Sequence, residues 1–185
     1  GNLGPTYGAQ FRNSGGVDQL RSVIASIRNN PDSRRHNIAL WNPSKIDDMR
    51  LPPCHGNIIQ FHVNGKDLSC QMYQRSGDMF LGVPVNIAFY SLLTYLVAKD
   101  CGLKPKEFIH VIGDAHVYRN HIEQCEEMLS RKPKDLPTLK IHLLPRGRLA
   151  EAVSLMKNMS WEEICEIIEL TGYKPHRGIK GSVAI

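Results

Sequence analysis

The run Leu51-Pro52-Pro53-Cys54-His55 sets a thiol after two prolines and before an imidazole, in a loop just ahead of an apolar strand pattern. A cysteine so placed is a candidate nucleophile, because a sulfur exposed at a strand edge can be activated by neighbouring cations. Cysteines inside apolar segments are more often small core residues. Cys70, Cys101, Cys125 and Cys165 fall within helical or strand patterns and are read that way.

A second cluster is Tyr73-Gln74-Arg75-Ser76-Gly77-Asp78, followed by Leu81-Gly82-Val83-Pro84-Val85-Asn86. Arg75 and Ser76, side by side at a strand end, suit phosphate oxygens, the first through a forked charge-assisted contact and the second through its hydroxyl. Asp78 and Asn86 offer directional polar contacts, and an Asn amide both donates and accepts, which fits a pyrimidine edge. Their plainer alternative is a turn Asp and a helix-start Asn. Asp32-Ser33-Arg34-Arg35 reads as an anion site or a solvated corner. In Gly113-Asp114-Ala115-His116-Val117-Tyr118, His116 and Tyr118 are two apart and able to face one side toward a sugar hydroxyl; a structural His is the alternative.

The elements that must hold these groups can be read from periodicity. Val17, Leu20, Val23, Ile24 and Ile27 have helical spacing across 17–30, and Pro31 ends the run. Residues 37–41 predict a short strand and 42–54 a loop. Residues 58–63 and 68–73 predict an antiparallel hairpin, since Asn64-Gly65 favours the positive φ angles of its turn. The apolar stretch at 84–101, opened by Pro84 and closed by Gly102, predicts a long, largely buried helix. Strands are expected at 108–112 and 139–144 and a polar helix at 118–130. Ser160-Trp161-Glu162-Glu163 has capping-box spacing and starts a last helix. The order is mixed α+β.

Bulk properties narrow the setting. The chain has 185 residues, 42% hydrophobic and 22% charged, which fits a single domain (1–185) with a substantial core. No apolar run is long enough to span a bilayer, and membrane insertion is not expected. The net charge of +5 and the pI near 9.0 suit phosphorylated metabolites as well as nucleic acid. The basic residues are dispersed, which argues against a nucleic-acid surface. Five cysteines without a CxxC pair or secretory signal indicate a reduced, cytoplasmic setting. The opening Gly1-Asn2-Leu3-Gly4-Pro5 lacks an initiator Met, and a longer parent is expected.

Taken together, Gly4-Pro5-Thr6-Tyr7-Gly8, Asp32-Ser33-Arg34-Arg35, Pro53-Cys54-His55, Leu68-Ser69-Cys70-Gln71, Tyr73-Gln74-Arg75-Ser76-Gly77-Asp78, Asn86-Ile87-Ala88, Gly113-Asp114-Ala115-His116-Val117-Tyr118 and Gly172-Tyr173-Lys174-Pro175-His176 resemble the thymidylate synthase family, in the family's order and over most of the chain. The resemblance implies an α+β fold with a mixed sheet and a buried long helix, dimerising with itself through the sheet. It also implies a methyltransferase-type one-carbon transferase whose ligands are dUMP and the co-substrate 5,10-methylenetetrahydrofolate, with no metal. Cys54 would add to carbon six of dUMP, with Tyr7 assisting proton transfer and Asn86 pairing with the uracil edge. Arg75 and Ser76 would hold the phosphate, joined by Arg34 and Arg35 from the partner subunit, and His116 and Tyr118 would hold the ribose. Asp78, Leu81, Gly82, Val85 and Ala184 of the C-terminal tail would contact the folate, and Ile185 would be mobile without ligand.

Several features depart from the family. Val85 stands where members usually carry Phe, and Phe89 where they carry Ser. One extra residue in His55-Gly56-Asn57-Ile58-Ile59 predicts a bulge after the nucleophile. The 145–170 segment is longer and more helical, and the family's N-terminal portion is expected to be missing. The same Cys adduct serves a deoxyuridylate hydroxymethylase, in which water replaces hydride as the final nucleophile. A third reading is an inactive nucleotide- or RNA-binding relative. Asn86, where dCMP hydroxymethylases tend to carry Asp, points to uracil.

Overall fold

The computed structural model describes residues 2–142, 146–156 and 158–183. Its main sheet has the order β1-β2-β3-β4, formed by β1 (Asn37–Ile38), β2 (Ile58–Asn64), β3 (Asp67–Asp78) and β4 (Lys104–His116). The first three strands are antiparallel and β4 runs parallel to β3. This is the mixed sheet of an α+β fold. A separate antiparallel pair joins β5 (Thr138–Ile141) to β6 (Ile168–Thr171). The 139–144 strand prediction extends past residue 142 and its end lies outside the described residues.

Alternation sets the inner face of the sheet. Ile59, Phe61 and Val63 on β2 and Leu68, Cys70, Met72 and Gln74 on β3 are buried at period two. Against this face lies α3 (Gly82–Cys101), the crossover that the parallel β3-β4 pair requires. Val83, Asn86, Tyr90, Leu93, Thr94 and Val97 make its buried stripe. The helix begins two residues before Pro84 and ends at Gly102. It is buried on one side only: Val85 is 66% and Phe89 46% exposed. The long helix expected to be largely buried is thus buried along one stripe, because a helix lying on a sheet covers a single stripe.

The N-terminal elements close the other end of the core. α1 (Tyr7–Arg12) packs on α2 (Gln19–Asn29), whose buried face is Leu20, Val23, Ile24 and Ile27. Val17 stands outside this helix, because Asp18 takes the N-cap and accepts from the Arg21 amide at 3.0 Å. The 37–41 strand contracts to two residues, and 43–48 of the expected loop forms a 3-10 turn. In the hairpin, Asn64 pairs with Asp67 and only Gly65 takes a positive φ, 60°. The turn therefore needs glycine at its first central position and asks nothing special of Asn64.

β4 is longer than expected at both ends, and the polar helix starts as a 3-10 turn at Arg119–His121 before α4 (Ile122–Ser130). The 145–170 segment carries α5 (Leu149–Met156) and α6 (Trp161–Ile167). The capping box forms as predicted, Ser160 Oγ accepting from the Glu163 amide at 3.2 Å and Glu163 Oε2 from the Ser160 amide at 2.6 Å. α5 is fastened by Asp100 of α3, whose buried carboxylate accepts from the Arg148 and Leu149 amides at 2.8 and 3.0 Å and pairs with Arg28 at 2.8 Å. Among the described residues no helix is long and apolar enough to cross a membrane.

Candidate active site

The parallel register aligns the two polar runs. Ser76 lies opposite Asp114, Gly77 opposite Ala115 and Asp78 opposite His116, so the carboxyl ends of β3 and β4 share one rim. The start of α3 and the loop carrying Cys54 reach the same rim. Topology thus brings Cys54, Arg75, Ser76, Asp78, Asn86 and His116 together from segments far apart in the chain.

Cys54 is half-buried, and its loop is pinned to β3. Arg75 donates through Nε to the Pro53 carbonyl at 2.9 Å and through Nη2 to the Pro52 carbonyl at 3.2 Å, while its guanidinium sits 5.5 Å from the Trp41 ring centroid. Asn57, buried, accepts from the Arg75 amide at 2.9 Å and donates to the Pro53 carbonyl at 3.2 Å. The Ser76 amide donates to the Cys54 carbonyl at 3.4 Å. Arg75 thereby fixes the Cys54 loop with one edge of its fork, and its remaining guanidinium donors make no hydrogen bond among the described residues.

Tyr7 meets Cys54 twice. The Cys54 amide donates to the phenol oxygen at 3.0 Å, and that oxygen lies 3.3 Å from Sγ. Since the amide can only donate, the phenol's own hydrogen is available to the sulfur. Burial and the bond to Cys54 push the Tyr7 hydroxyl up to about 12, so it stays protonated as a donor. His55 stacks on Tyr7 with ring centroids 4.3 Å apart, and its Nδ1 lies 2.8 Å from the Tyr90 hydroxyl. Burial, with a smaller contribution from His110, brings its pKa down to about 4. His55 is therefore neutral near pH 7, and the expectation of an activating cation next to the thiol fails for this neighbour.

No bulge follows Cys54: β2 and β3 pair residue for residue from Ile58–Tyr73 to Asn64–Asp67. The extra length is taken up before the strand, where Gly56 has φ 65° and lies so close to Tyr90 and Leu40 that a Cβ would come within 2.2 Å of the Tyr90 hydroxyl. Backbone approach of that kind requires glycine. The irregularity of register falls in the β3-β4 pair, between Leu68 and Cys70.

Asp78 is a turn residue, its Oδ1 accepting from the Phe80 and Leu81 amides at 3.0 and 3.3 Å. Its other oxygen is uncommitted among the described residues, beside Leu81, Gly82 and the exposed Val85. His116 Nδ1 lies 3.2 Å from Asp114, and its ring meets Tyr118 edge-on at 5.0 Å. Phe89 packs beside the residue that follows Cys54, 6.4 Å from both His55 and Phe11 by ring centroid. Arg34 and Arg35 do not join this group. They precede β1, are exposed, and their guanidinium groups make no hydrogen bond or ion pair among the described residues. Ala184 and Ile185 lie outside the described residues. The tail before them docks through the Ser182 carbonyl, 2.7 Å from His121 Nε2.

Residue-type reasoning overlooked Asn57, Tyr90 and a buried polar chain. His110 Nε2 lies 2.8 Å from Gln74 Oε1, and Gln74 Nε2 reaches Asn86 Oδ1 at 3.1 Å. A signal was present: Gln74 follows Leu68, Cys70 and Met72 at period two, so a polar side chain occupies a core position. Among the described residues no group of three or more His, Cys, Asp or Glu is placed to hold a metal. Of the other cysteines only Cys70 is buried, while Cys165 is exposed.

The chain has relatives of known name. It is 51% identical over 185 residues to thymidylate synthase of Mycoplasma pneumoniae, 50% over 186 to that of Malacoplasma penetrans and 47% over 190 to that of Staphylococcus haemolyticus. All of this chain is covered in each case, but only 60%, 60% and 55% of the relatives' own lengths. The family model described as thymidylate synthase matches residues 1–185. With the family model matched end to end, and with the Cys54 loop, Arg75, Ser76 and Asn86 gathered on one rim, the chain belongs to the thymidylate synthase family.

Proposed function

We propose that the protein methylates carbon five of dUMP to give dTMP, with 5,10-methylenetetrahydrofolate as co-substrate. The observation that carries this reading is the Tyr7–Cys54 pair set beside Arg75, Ser76 and Asn86. Relatives named thymidylate synthase at about half identity support it. Cys54 thiolate attacks carbon six, and the displaced electron pair moves through carbon five toward O4, where the Asn86 amide donates. Carbon five becomes the nucleophile, and covalent addition divides one hard step into easier ones. The folate, when bound, supplies the one-carbon unit and the hydride. Tyr7, protonated, assists proton transfer near the base as a donor, and Cys54 departs as the product's double bond re-forms.

Arg75 and Ser76 take the phosphate, and His116 with Tyr118 the ribose. Asp78, through its uncommitted oxygen, contacts the pterin beside Leu81, Gly82 and Val85; Ala184 belongs to the same reading. Arg34 and Arg35 reach the phosphate in a partner's site, across a homodimer built on the outer sheet face, where Ile58, Tyr73, Ile109 and Val111 stand exposed. Residues 1–185 act as one domain in the cytoplasm, where the five free cysteines stay reduced.

The test is incubation of the whole protein with dUMP and methylenetetrahydrofolate, with the nucleotide read by mass and the folate by absorbance. Equal yields of dTMP and dihydrofolate are expected, and none from Cys54→Ser. Hydroxymethyl-dUMP with tetrahydrofolate would replace methylation by hydroxymethylation. Ligand binding without turnover, or turnover by Cys54→Ser, would overturn the reading.

A further inference from the structure

Three side chains beneath the candidate site form a hydrogen-bonded chain with a fixed direction. Gln74, 1% exposed, donates from Nε2 to the Ser76 carbonyl at 2.8 Å and to Asn86 Oδ1 at 3.1 Å. His110 Nε2 lies 2.8 Å from Gln74 Oε1. The Ser76 carbonyl can only accept, so the Gln74 atom facing it is the NH2 end whatever the ambiguity of an amide's two ends. Gln74 Oε1 must then accept, which places the hydrogen of His110 on Nε2. The Asn86 atom facing Gln74 must be its oxygen, which leaves Nδ2 as the end without a partner among the described residues.

We propose that His110 is a positioning residue that holds Gln74, and through it Asn86, in the orientation that selects a uracil ring over a cytosine ring. The inference rests on the uracil-nucleotide reading above. Uracil presents O4 as acceptor and N3–H as donor. Asn86 meets both, Nδ2 donating to O4 and the second lone pair of Oδ1 accepting from N3. Cytosine presents an amino group and a bare N3, and needs the amide reversed. Reversal would set Asn86 Nδ2 against Gln74 Nε2, two donors facing each other in a buried place with no acceptor between them. Discrimination of roughly tenfold to a hundredfold follows from that mismatch. His110 satisfies the sealed Gln74 oxygen. Without it, the sealed Gln74 oxygen is left without a donor, the Ser76 carbonyl alone opposes reversal of the Gln74 amide, and Asn86 is held less firmly in the orientation that fits uracil.

The experiment has two arms. In the first, nitrogen-15 spectra of the native protein read the His110 tautomer; a hydrogen on Nε2 is expected, and one on Nδ1 overturns the direction of the chain. In the second, the affinities of dUMP and dCMP are compared for the native protein, His110→Val and His110→Gln. The preference for dUMP should fall about fivefold to tenfold in His110→Val, chiefly because dCMP binds better, and return in His110→Gln, which keeps a donor. An unchanged preference in His110→Val, or equal loss in both variants, overturns the proposal. A native protein with the expected tautomer that binds neither nucleotide overturns the uracil reading itself, and the selectivity role with it.

Discussion

At Cys54 the two aromatic neighbours, Tyr7 and His55, are uncharged. The Tyr7 oxygen accepts from the Cys54 amide and lies 3.3 Å from its sulfur, and His55, stacked on Tyr7, is held neutral. Tyr7→Phe keeps the ring on His55 but removes the acceptor and the donor together. Stability should drop by about 1–2 kcal/mol in chemical denaturation and turnover by about a hundredfold. Full turnover in this variant would exclude Tyr7 from the chemistry. His55 makes a separate prediction about pH. Its unfolded pKa is 6.5 and its folded pKa about 4. Between those values the unfolded chain binds more protons, so stability rises with pH there. The contribution is complete above the unfolded value and is lost as pH falls through the folded one. Allowing for solvent screening it is on the order of 2 kcal/mol. His55→Gln should therefore narrow the difference between denaturation midpoints measured at about pH 4.5 and about pH 7.5; an equal difference in both proteins would place the titration elsewhere.

Among the elements, the attachment of α5 depends on one carboxylate. Asp100 ends α3, has a side chain sealed from solvent, and holds Arg28 and two amides at the start of α5. Asp100→Ala leaves a partly buried guanidinium and two N–H groups without their acceptor, and a loss of about 3–5 kcal/mol is expected. Asp100→Asn, which keeps one acceptor oxygen, should lose less, and hydrogen exchange in α5 should accelerate in both; exchange that quickens everywhere equally would mean that Asp100 supports the core and not this attachment. Asp100 also shows where sequence reading stops. The stretch at 84–101 is apolar enough to announce a long helix, but periodicity cannot say which turn meets a sheet and which meets α5. Cys54, Arg75 and Asn86 were legible because their runs keep type and order together. Arg75's grip on the Pro52 and Pro53 carbonyls was not, because it depends on loop and strand meeting through space. The hairpin was placed correctly while its turn residue was not, since Asn-Gly permits two positive φ angles and the fold uses one. The bulge foreseen after Cys54 was absorbed by Gly56, where the backbone of one glycine replaces a disruption of the ladder.

For the molecule as a whole the open element is the pair Arg34 and Arg35. They stand ahead of β1, at the edge of the sheet, while the site they are read to serve opens at the carboxyl ends of β3 and β4. One side of the sheet is covered by α3; the other exposes Ile58, Tyr73, Ile109 and Val111. Pairing two copies through this outer face is the proposed arrangement that lets each subunit lend its arginines to the other. A two-fold interface is self-complementary, so a charge placed in it meets its own copy or a neighbouring apolar group. Val111→Glu should thus give a monomer by sedimentation and lose dUMP binding, even though Val111 touches none of the proposed ligand groups. The sharper measurement mixes two inactive variants. Cys54→Ser lacks the nucleophile but keeps its arginines, and Arg34→Ala/Arg35→Ala keeps the nucleophile but lends no arginine. Random exchange of subunits yields mixed dimers in which one of the two sites has both an intact Cys54 and a partner's arginines. Recovery of about a quarter of the native activity is expected, whereas arginines acting within their own chain would restore none, because no single polypeptide in the mixture would then carry a complete site.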